Sequence, residues 1–387
     1  MSRIVFVASC FPEQILNKMI ENNDIDDIAA NVFGQRICNC LAHFNKSVDV
    51  VNEHKNVRFP YQMKLFVHSS EDVFGDVRYH SYGYLNVLYL ERWSKAWEIK
   101  KLIKKLKPEV VVVYSMHTPY LKPVVELKNV LKYKVAVVVP DLPEFMSDRK
   151  GHLARYLKKK DIERVYKLTE KADGFIVLTA YMVERLPVAG KKYLVLEGIA
   201  DDFTYNDMYN TSRENFILYS GSVSKMYGLP EFVNNYIKSN IDEELYICGT
   251  GTYVEELKEI VKYNPRIKYL GIIKRDKLKV LQRNACLLVN PRKGNDEYTK
   301  YSFPSKTMEY LSSGTPVMME RLRGIPDDYY NYIIEVDDGD WIKALKRFSN
   351  RDKTQLYERA MRALQFIKNN KTVSAQADRI KSFIEEL

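Results

Sequence analysis

A repeated rhythm constrains this chain more than any other feature: a short run of β-branched residues, a turn, then a stretch with apolar positions at helical spacing. In the first half the runs fall at residues 4–8, 48–51, 64–67, 110–114, 135–139, 175–178 and 193–196. Helical stretches at 25–44, 91–106, 121–131 and 153–171 lie between them. Runs that are apolar at every position are buried on both faces, which requires a parallel sheet covered by helices on each side. A polar stretch, 201–213, breaks the rhythm, and it then restarts. Strands are predicted at 215–219, 245–248, 267–270, 286–290, 315–318 and 332–335, with helices at 229–238, 253–262, 276–282 and 306–313. Helices at 341–350, 353–368 and 374–386 close the chain. The reading is two doubly wound α/β domains, 1–200 and 201–387, with the last helix, 374–386, able to pack back on the first. Ligands of such sheets sit at the carboxyl ends of the strands, and a cleft between two facing domains is the default site.

Composition narrows the class. A length of 387 residues exceeds one ordinary core, and 46% hydrophobic with 28% charged residues excludes a disordered or fibrous chain. No apolar run approaches the roughly 18–20 residues that cross a bilayer. Met1-Ser2-Arg3-Ile4-Val5 enters a strand directly, which predicts a mature cytosolic start. Five scattered cysteines, Cys10, Cys38, Cys40, Cys248 and Cys286, offer no disulfide framework and no zinc spacing, so buried thiols are expected. Asp24-Ile25-Asp26 and Asp338-Gly339-Asp340 have the form of a metal-binding Asp-x-Asp, but their polar surroundings read as solvated surface, and no metal is expected.

Charge is unevenly placed. The net charge is +10; residues 1–200 hold 31 Lys and Arg against 23 Asp and Glu, and residues 201–387 hold 29 against 27. The excess concentrates at 100–107 and 155–160, on helical patterns with interleaved apolar residues. Such segments suit either an anionic membrane surface or a solvated helix face. Nucleic acid is excluded as a partner by the lack of zinc-finger spacings, Arg-Gly repeats and a helix-turn-helix pattern.

The richest segment runs from Asn290 to Val317. A strand ends in a charged, Gly-containing loop, then Pro304 and Ser305 open a helix with Lys306 and Glu309, and Gly314 stops it. Ser305 is predicted as the N-cap, and the helix start with Lys306 makes an anion site. Glu309, one turn deeper, suits a sugar diol.

This segment resembles the donor-binding region of family-4 retaining glycosyltransferases of the GT-B fold, in the subgroup found in capsule and exopolysaccharide biosynthesis. There a Glu, seven residues and a second Glu precede Gly-x-Pro-Val, seen here as Gly314-Thr315-Pro316-Val317. Glu309 matches the second Glu, which binds the nucleotide ribose in the family, and Tyr301 stands at the first. The resemblance extends to Tyr219–Gly228, where the family's diphosphate-gripping Arg and Lys are Ser222 and Tyr227, with Lys225 the nearest cation. It includes the Gly249-Thr250-Gly251 turn, Lys274 and Arg275 near the base, and Val137–Glu144, where Asp141 stands at the place of an active-site His. Two Rossmann-like domains follow from it, the first binding the acceptor and the second the donor.

The implied reaction moves a hexose from a nucleotide diphosphate sugar, a UDP-sugar in first place, to a lipid-linked saccharide in bacterial surface polysaccharide synthesis. Retention, no metal and no cofactor are implied, with the enzyme cytoplasmic and peripheral at the inner face of the cell membrane. Asp141, Lys306 and Lys225 are its catalytic candidates; Glu309, Ser305, Arg292, Ser222, Gly249, Tyr301 and Lys274 are its donor-binding candidates. His117, Glu144, Phe33 and Gly34 are candidates for the acceptor. Bland alternatives stand beside them: a surface charge for Arg292 and Lys225, a turn-shaping role for Asp141 and Glu144, packing for Phe33 and Gly34. A non-catalytic scaffold and a nucleotide-sugar epimerase remain as other classes on the same fold.

Overall fold

The Val- and Ile-rich runs do form strands, and the polar connections between them turn at their carboxyl ends. The computed structural model describes residues 3–12, 14–16, 28–45, 47–53, 64–87, 90–146, 151–202 and 213–387. The Asp24–Asp26 motif and most of the 201–213 stretch lie outside these residues. By contacts the chain divides into two units, 1–199 with 373–387, and 200–372.

In the first unit the elements are β1 (Ile4–Ala8), α1 (Ile28–Phe44), β2 (Val48–Asn52), β3 (Phe66–Val67), β4 (Ser70–Phe74), β5 (Val77–Ser81), β6 (Tyr84–Leu85), α2 (Leu90–Leu106), β7 (Val110–Tyr114), α3 (Thr118–Leu131), β8 (Lys134–Val139), α4 (His152–Thr169), β9 (Gly174–Val177) and β10 (Lys192–Val195). One sheet has the order β10-β9-β8-β7-β1-β2-β5-β4, parallel throughout except for the hairpin strand β4. Every residue of β1, β2 and β7 is buried. Two features differ from the sequence reading. The 64–67 run does not enter the main sheet but pairs with β6 in a two-stranded ribbon. The β4–β5 hairpin, turning at Gly75 with φ +58, was not legible as a β-branched run.

The second unit holds β11 (Phe216–Ser220), α5 (Leu229–Ser239), β12 (Glu244–Cys248), α6 (Val254–Tyr263), β13 (Ile267–Gly271), α7 (Arg275–Asn284), β14 (Leu287–Asn290), α8 (Ser305–Leu311), β15 (Val317–Met319), β16 (Ile333–Glu335), α9 (Trp341–Ser349) and α10 (Thr354–Asn370). Its six-stranded sheet has the order β13-β12-β11-β14-β15-β16, all parallel. That is the doubly wound arrangement, with chain direction across the sheet reversing between β11 and β14.

The last helix, α11 (Val373–Glu385), lies on α1 in the first unit. Ala377, Ile380, Phe383 and Ile384 join the core built by β1, β2, β7 and Cys38 and Cys40 of α1. Phe383 and Leu387 come so close to β9 that a Cβ on Gly174 would sit 2.9 and 2.5 Å from them. All five cysteines are buried and free. Among the described residues no helix is long and apolar enough to cross a membrane.

Candidate functional site

The strand reversal of the second unit places the carboxyl ends of β11 and β14 side by side, and the loops beyond them build one wall. Gly221 N–H donates to the Cys248 carbonyl (3.0 Å), Val223 N–H to Thr250 (2.9 Å) and Gly249 N–H to Gly271 (2.8 Å). The loops after β11, β12 and β13 are thereby stitched into a surface of exposed backbone. Gly249 has φ +128, and a Cβ there would lie 1.8 Å from the Gly221 carbonyl oxygen. Only glycine fits such an approach.

Glu309 of α8 stands beside this surface. Its Oε2 accepts from Lys306 Nζ (2.8 Å) and its Oε1 from Gln282 Nε2 (2.7 Å). Gln282 is buried and also donates to Ser220 Oγ (3.2 Å) at the end of β11. The Tyr310 hydroxyl accepts the Ser220 N–H (2.9 Å) and donates to the Ser220 carbonyl (3.1 Å). Helix α8 is therefore pinned to the strand end by its own Tyr310, and Glu309 is aimed by Gln282 from α7. Burial pushes the Glu309 carboxyl up, but the Lys306 charge and hydrogen bonds from Lys306 and Gln282 hold it below its ordinary value. The result is a fixed carboxylate with lone pairs left for hydroxyl donors, next to a cation. Lys306 Cε lies 3.7 Å from where a Gly221 Cβ would be, so the ammonium stem runs along the same backbone.

Arg292, two residues beyond β14, is half-buried between rings: its guanidinium is 4.8 Å from the Tyr227 centroid and 5.4 Å from that of Tyr298. Its Nη1, Asn290 Nδ2 and the Tyr298 hydroxyl are buried without a hydrogen-bond partner. Three orphaned polar groups on one short stretch mark a place where a polar ligand would be satisfied. Neither aromatic partner of Arg292 is adjacent in sequence, and Gln282 carries no motif, so sequence reading missed Gln282, Tyr310 and the Tyr227–Arg292–Tyr298 stack.

The remaining donor-side candidates are placed as follows. Lys225, in a 3₁₀ turn, pairs with Glu256 at the surface. Ser222 is exposed and its carbonyl accepts from the Tyr219 hydroxyl (2.7 Å). Lys274 is exposed just before α7, whose Arg275 binds Asp201 (2.6 Å). Tyr301 is buried, at 3% exposure, as a core ring. Ser305 is not the N-cap. Pro304 occupies that position, its carbonyl accepting the Thr307 N–H (2.9 Å), and Ser305 is the first helical residue with no capping bond from its side chain.

In the first unit, the reversal falls between β1 and β7. His117 stands there, exposed, at the start of α3, with its ring edge-on to Tyr120 at 5.3 Å. Asp141 is exposed after β8. Glu144 accepts from the Tyr166 hydroxyl (2.9 and 3.0 Å), and its carbonyl accepts from Lys158 Nζ (3.2 Å), tying this loop to α4. Phe33 packs against the sheet core near Tyr114, and Gly34 lets α1 approach Cys10, where a Cβ would be 3.3 Å away. Beside them lies a buried ion pair that sequence reading did not find. Glu53, directly after β2, accepts from Lys95 Nζ (3.0 Å) of α2 and from the Tyr82 hydroxyl (3.2 Å).

Among the described residues no three His, Cys, Asp or Glu side chains group as metal ligands would. Asp340 of the second Asp-x-Asp caps α9, accepting the Lys343 N–H (3.0 Å).

Comparison with known proteins identifies the fold. Residues 214–351 match the family model of glycosyl transferases group 1, a span that contains both sides of the β11–β14 wall and Glu309. No curated protein matches the sequence. Solved structures align over nearly the whole chain at low identity. HepE of Anabaena in complex with UDP has a TM-score of 0.67 at 11% identity, covering 100% of both chains. Sucrose-phosphate synthase of Thermosynechococcus elongatus has 0.66 at 14%, covering 99% of this chain and 98% of that one. The pneumococcal O-GlcNAc transferase GtfA in complex with UDP and GlcNAc has 0.64 at 14%, covering 100% and 99%. The chain has the GT-B fold, and its second unit is similar over residues 214–351 to glycosyl transferases group 1.

Proposed function

We propose that this protein is a retaining glycosyltransferase that moves a hexose from a UDP-sugar to a lipid-linked saccharide during bacterial surface polysaccharide synthesis, at the cytoplasmic face of the membrane. The second unit binds the donor and the first the acceptor. One observation carries the reading: the glycine-lined strand ends and the Glu309–Lys306 pair lie together inside the segment that matches glycosyl transferases group 1. Two similar structures hold UDP, in one case with GlcNAc, which supports the choice of nucleotide.

In this reading Glu309 accepts hydrogen bonds from the ribose diol, and the backbone at Gly221 and Gly249 lies against the nucleotide. Charge developing on the departing diphosphate needs cations already in place. Lys306 and Arg292 supply them, with Lys225 at the rim. The unpartnered Asn290 Nδ2 and Tyr298 hydroxyl gain partners when the sugar diphosphate enters. His117 serves the acceptor side, and Asp141, exposed after β8, is the catalytic residue that the first unit contributes.

Thermal stability measured against UDP, GDP, dTDP and ADP tests the donor, because a ligand selective for the folded state raises stability by mass action. UDP is expected to give the largest shift. Glu309→Ala is expected to weaken UDP binding about ten- to a hundredfold, as the loss of a charge-assisted contact of roughly 1.5–3 kcal/mol. An unchanged affinity in the folded variant would take Glu309 out of the site. Release of UDP from a UDP-hexose separates a transferase from a scaffold.

Lys306→Ala carries a pH signature. Lys306 helps hold the Glu309 carboxyl below its ordinary value while burial opposes it. Without the ammonium that carboxyl rises, so uridine binding by the variant is expected to fall between pH 7 and pH 5. The wild type stays flat over the same range, since its carboxylate remains ionised. Parallel pH profiles for the two proteins would remove this coupling.

A further inference from the structure

The outer face of α2 carries an arrangement that nothing in the donor or acceptor chemistry uses. Leu90, Trp93 and Trp97 are 51%, 69% and 54% exposed. Spaced three and four residues apart, they form one stripe along the helix, which Lys101 and Lys104 continue toward its carboxyl end. Lys101 Nζ lies 5.1 Å from the centroid of the Trp97 ring. Two of the three tryptophans of the chain are thus held in water on a single helix face. An exposed apolar stripe of this kind marks a contact surface.

The surrounding charge fits an anionic bilayer. Helix α2 packs beside α3, and α3 beside α4, in one layer of the first unit. On α4 the exposed Tyr156 and Leu157 stand with Arg155, Lys159 and Lys160, and Lys160 Nζ is 5.9 Å from the Tyr156 ring. Tryptophan and tyrosine flanked by lysine is the composition of a membrane–water interface, where rings sit at headgroup depth and ammonium groups reach lipid phosphates. The lysines alone are weaker candidates than their number suggests. Lys100 pairs with Glu126 (2.5 Å), Lys101 with Glu98 (3.6 Å) and Lys105 with Glu71 (3.3 Å).

We propose that the first unit docks on an anionic phospholipid bilayer through Trp93 and Trp97, which enter the interface, with Lys101, Lys104 and the basic face of α4 as a secondary electrostatic contact. The proposal rests on the lipid-linked acceptor reading only for its choice of a bilayer; the surface itself is argued from exposure and charge.

Tryptophan emission of the full chain tests it, because the third tryptophan, Trp341, is 3% exposed and contributes a constant buried signal. Vesicles of phosphatidylglycerol and phosphatidylcholine should shift the emission to the blue and pellet the protein, and brominated lipid should quench it. Trp93→Ser with Trp97→Ser should weaken partitioning about tenfold or more, given the apolar area each indole removes from water. Lys101→Gln with Lys104→Gln should cost less, and its effect should vanish at high salt. UDP binding, measured on the same samples, keeps the two readings apart. Loss of vesicle binding with UDP affinity intact in wild type overturns the docking alone, and absent UDP binding with vesicle binding intact overturns the donor reading alone. The proposal is overturned if the double tryptophan variant pellets like the wild type. It is equally overturned if the stripe turns out to be covered by a second copy, seen as a concentration-dependent dimer lost in that variant, or if soluble saccharide alone reproduces the emission shift.

Discussion

The Gly249→Ala variant is expected to lose stability and UDP binding together, and by more than any other single methyl addition in the second unit. Gly249 sits at φ +128, outside the region an L-residue adopts readily, and the new Cβ would be placed 1.8 Å from the Gly221 carbonyl oxygen. Backbone in such a region costs about 1–3 kcal/mol. Relieving the overlap costs about 1–3 kcal/mol more. The obstacle is backbone, which cannot rotate away as a side chain does, so the loops after β11 and β12 must separate. That breaks the Gly221-to-Cys248 and Gly249-to-Gly271 hydrogen bonds that stitch the wall. A lowered urea midpoint together with weakened UDP binding in calorimetry is the expected result. A variant with the wild-type midpoint and affinity would mean that these loops do not form the nucleotide wall. Gly75→Ala is the control: its added Cβ meets nothing within 4 Å, so only its positive φ is penalised.

The parts of the fold that were legible in sequence are those set by local composition. β1 and β7 read as buried parallel strands because no charged or amide residue interrupts them, and β2 through Val48, Val50 and Val51 on either side of Asp49; their boundaries follow from the runs themselves. The β4–β5 hairpin was not legible because Ser70–Phe74 is a polar edge strand with no β-branched run, and its one signal is Gly75-Asp76 at a tight turn. The short α8 begins at Ser305, yet its cap fell on Pro304, since the first helical N–H that bonds backward belongs to Thr307.

The same division holds at the site. Lys306 and Glu309 are three residues apart, so a helix brings them together and the motif shows it. Gln282 and Ser220, which orient Glu309, come from other elements and are joined only by the sheet order. Charge runs show a similar limit. The lysines at 100–107 are visible in sequence, but Glu126 and Glu71, which neutralise two of them, belong to α3 and β4. The exposed tryptophans were hidden for the converse reason: spacing three and four apart reads as a core stripe until the fold shows which face of α2 is covered.

Glu53→Ala is expected to destabilise the first unit by about 3–5 kcal/mol, the usual consequence of removing one partner from a buried ion pair. Glu53 and Lys95 are 6% and 8% exposed, with Glu91 Oε2 a second, looser acceptor for Lys95 at 3.5 Å. Burial alone would push the Glu53 carboxyl up, but the Lys95 charge and hydrogen bonds from Tyr120 and Lys95 hold it below its ordinary value. Burial would push the Lys95 amine down, and Glu53, together with Tyr84 and Glu91, more than offsets that. The two shifts give the sign of the pH dependence in the wild type. The contribution of Glu53 is present above its unfolded pKa and is lost as pH falls through the folded one; that of Lys95 is present below its unfolded pKa and is lost as pH rises through the raised one. In Glu53→Ala the Lys95 amine keeps its desolvation but loses its main partner, so its pKa drops and it can shed its proton on folding at moderately alkaline pH. The deficit against wild type should therefore shrink as pH rises from 7 to 9, because a neutral buried amine costs far less than an unpaired ammonium. Glu53→Leu combined with Lys95→Met removes both charges at similar volume and should recover most of the lost stability. Urea unfolding followed by circular dichroism at the two pH values reads all three proteins. A deficit below about 1 kcal/mol, comparable to a surface pair, would show that water reaches Lys95 and that the pair is not buried. A deficit that does not change with pH would show that Glu91 alone keeps Lys95 charged.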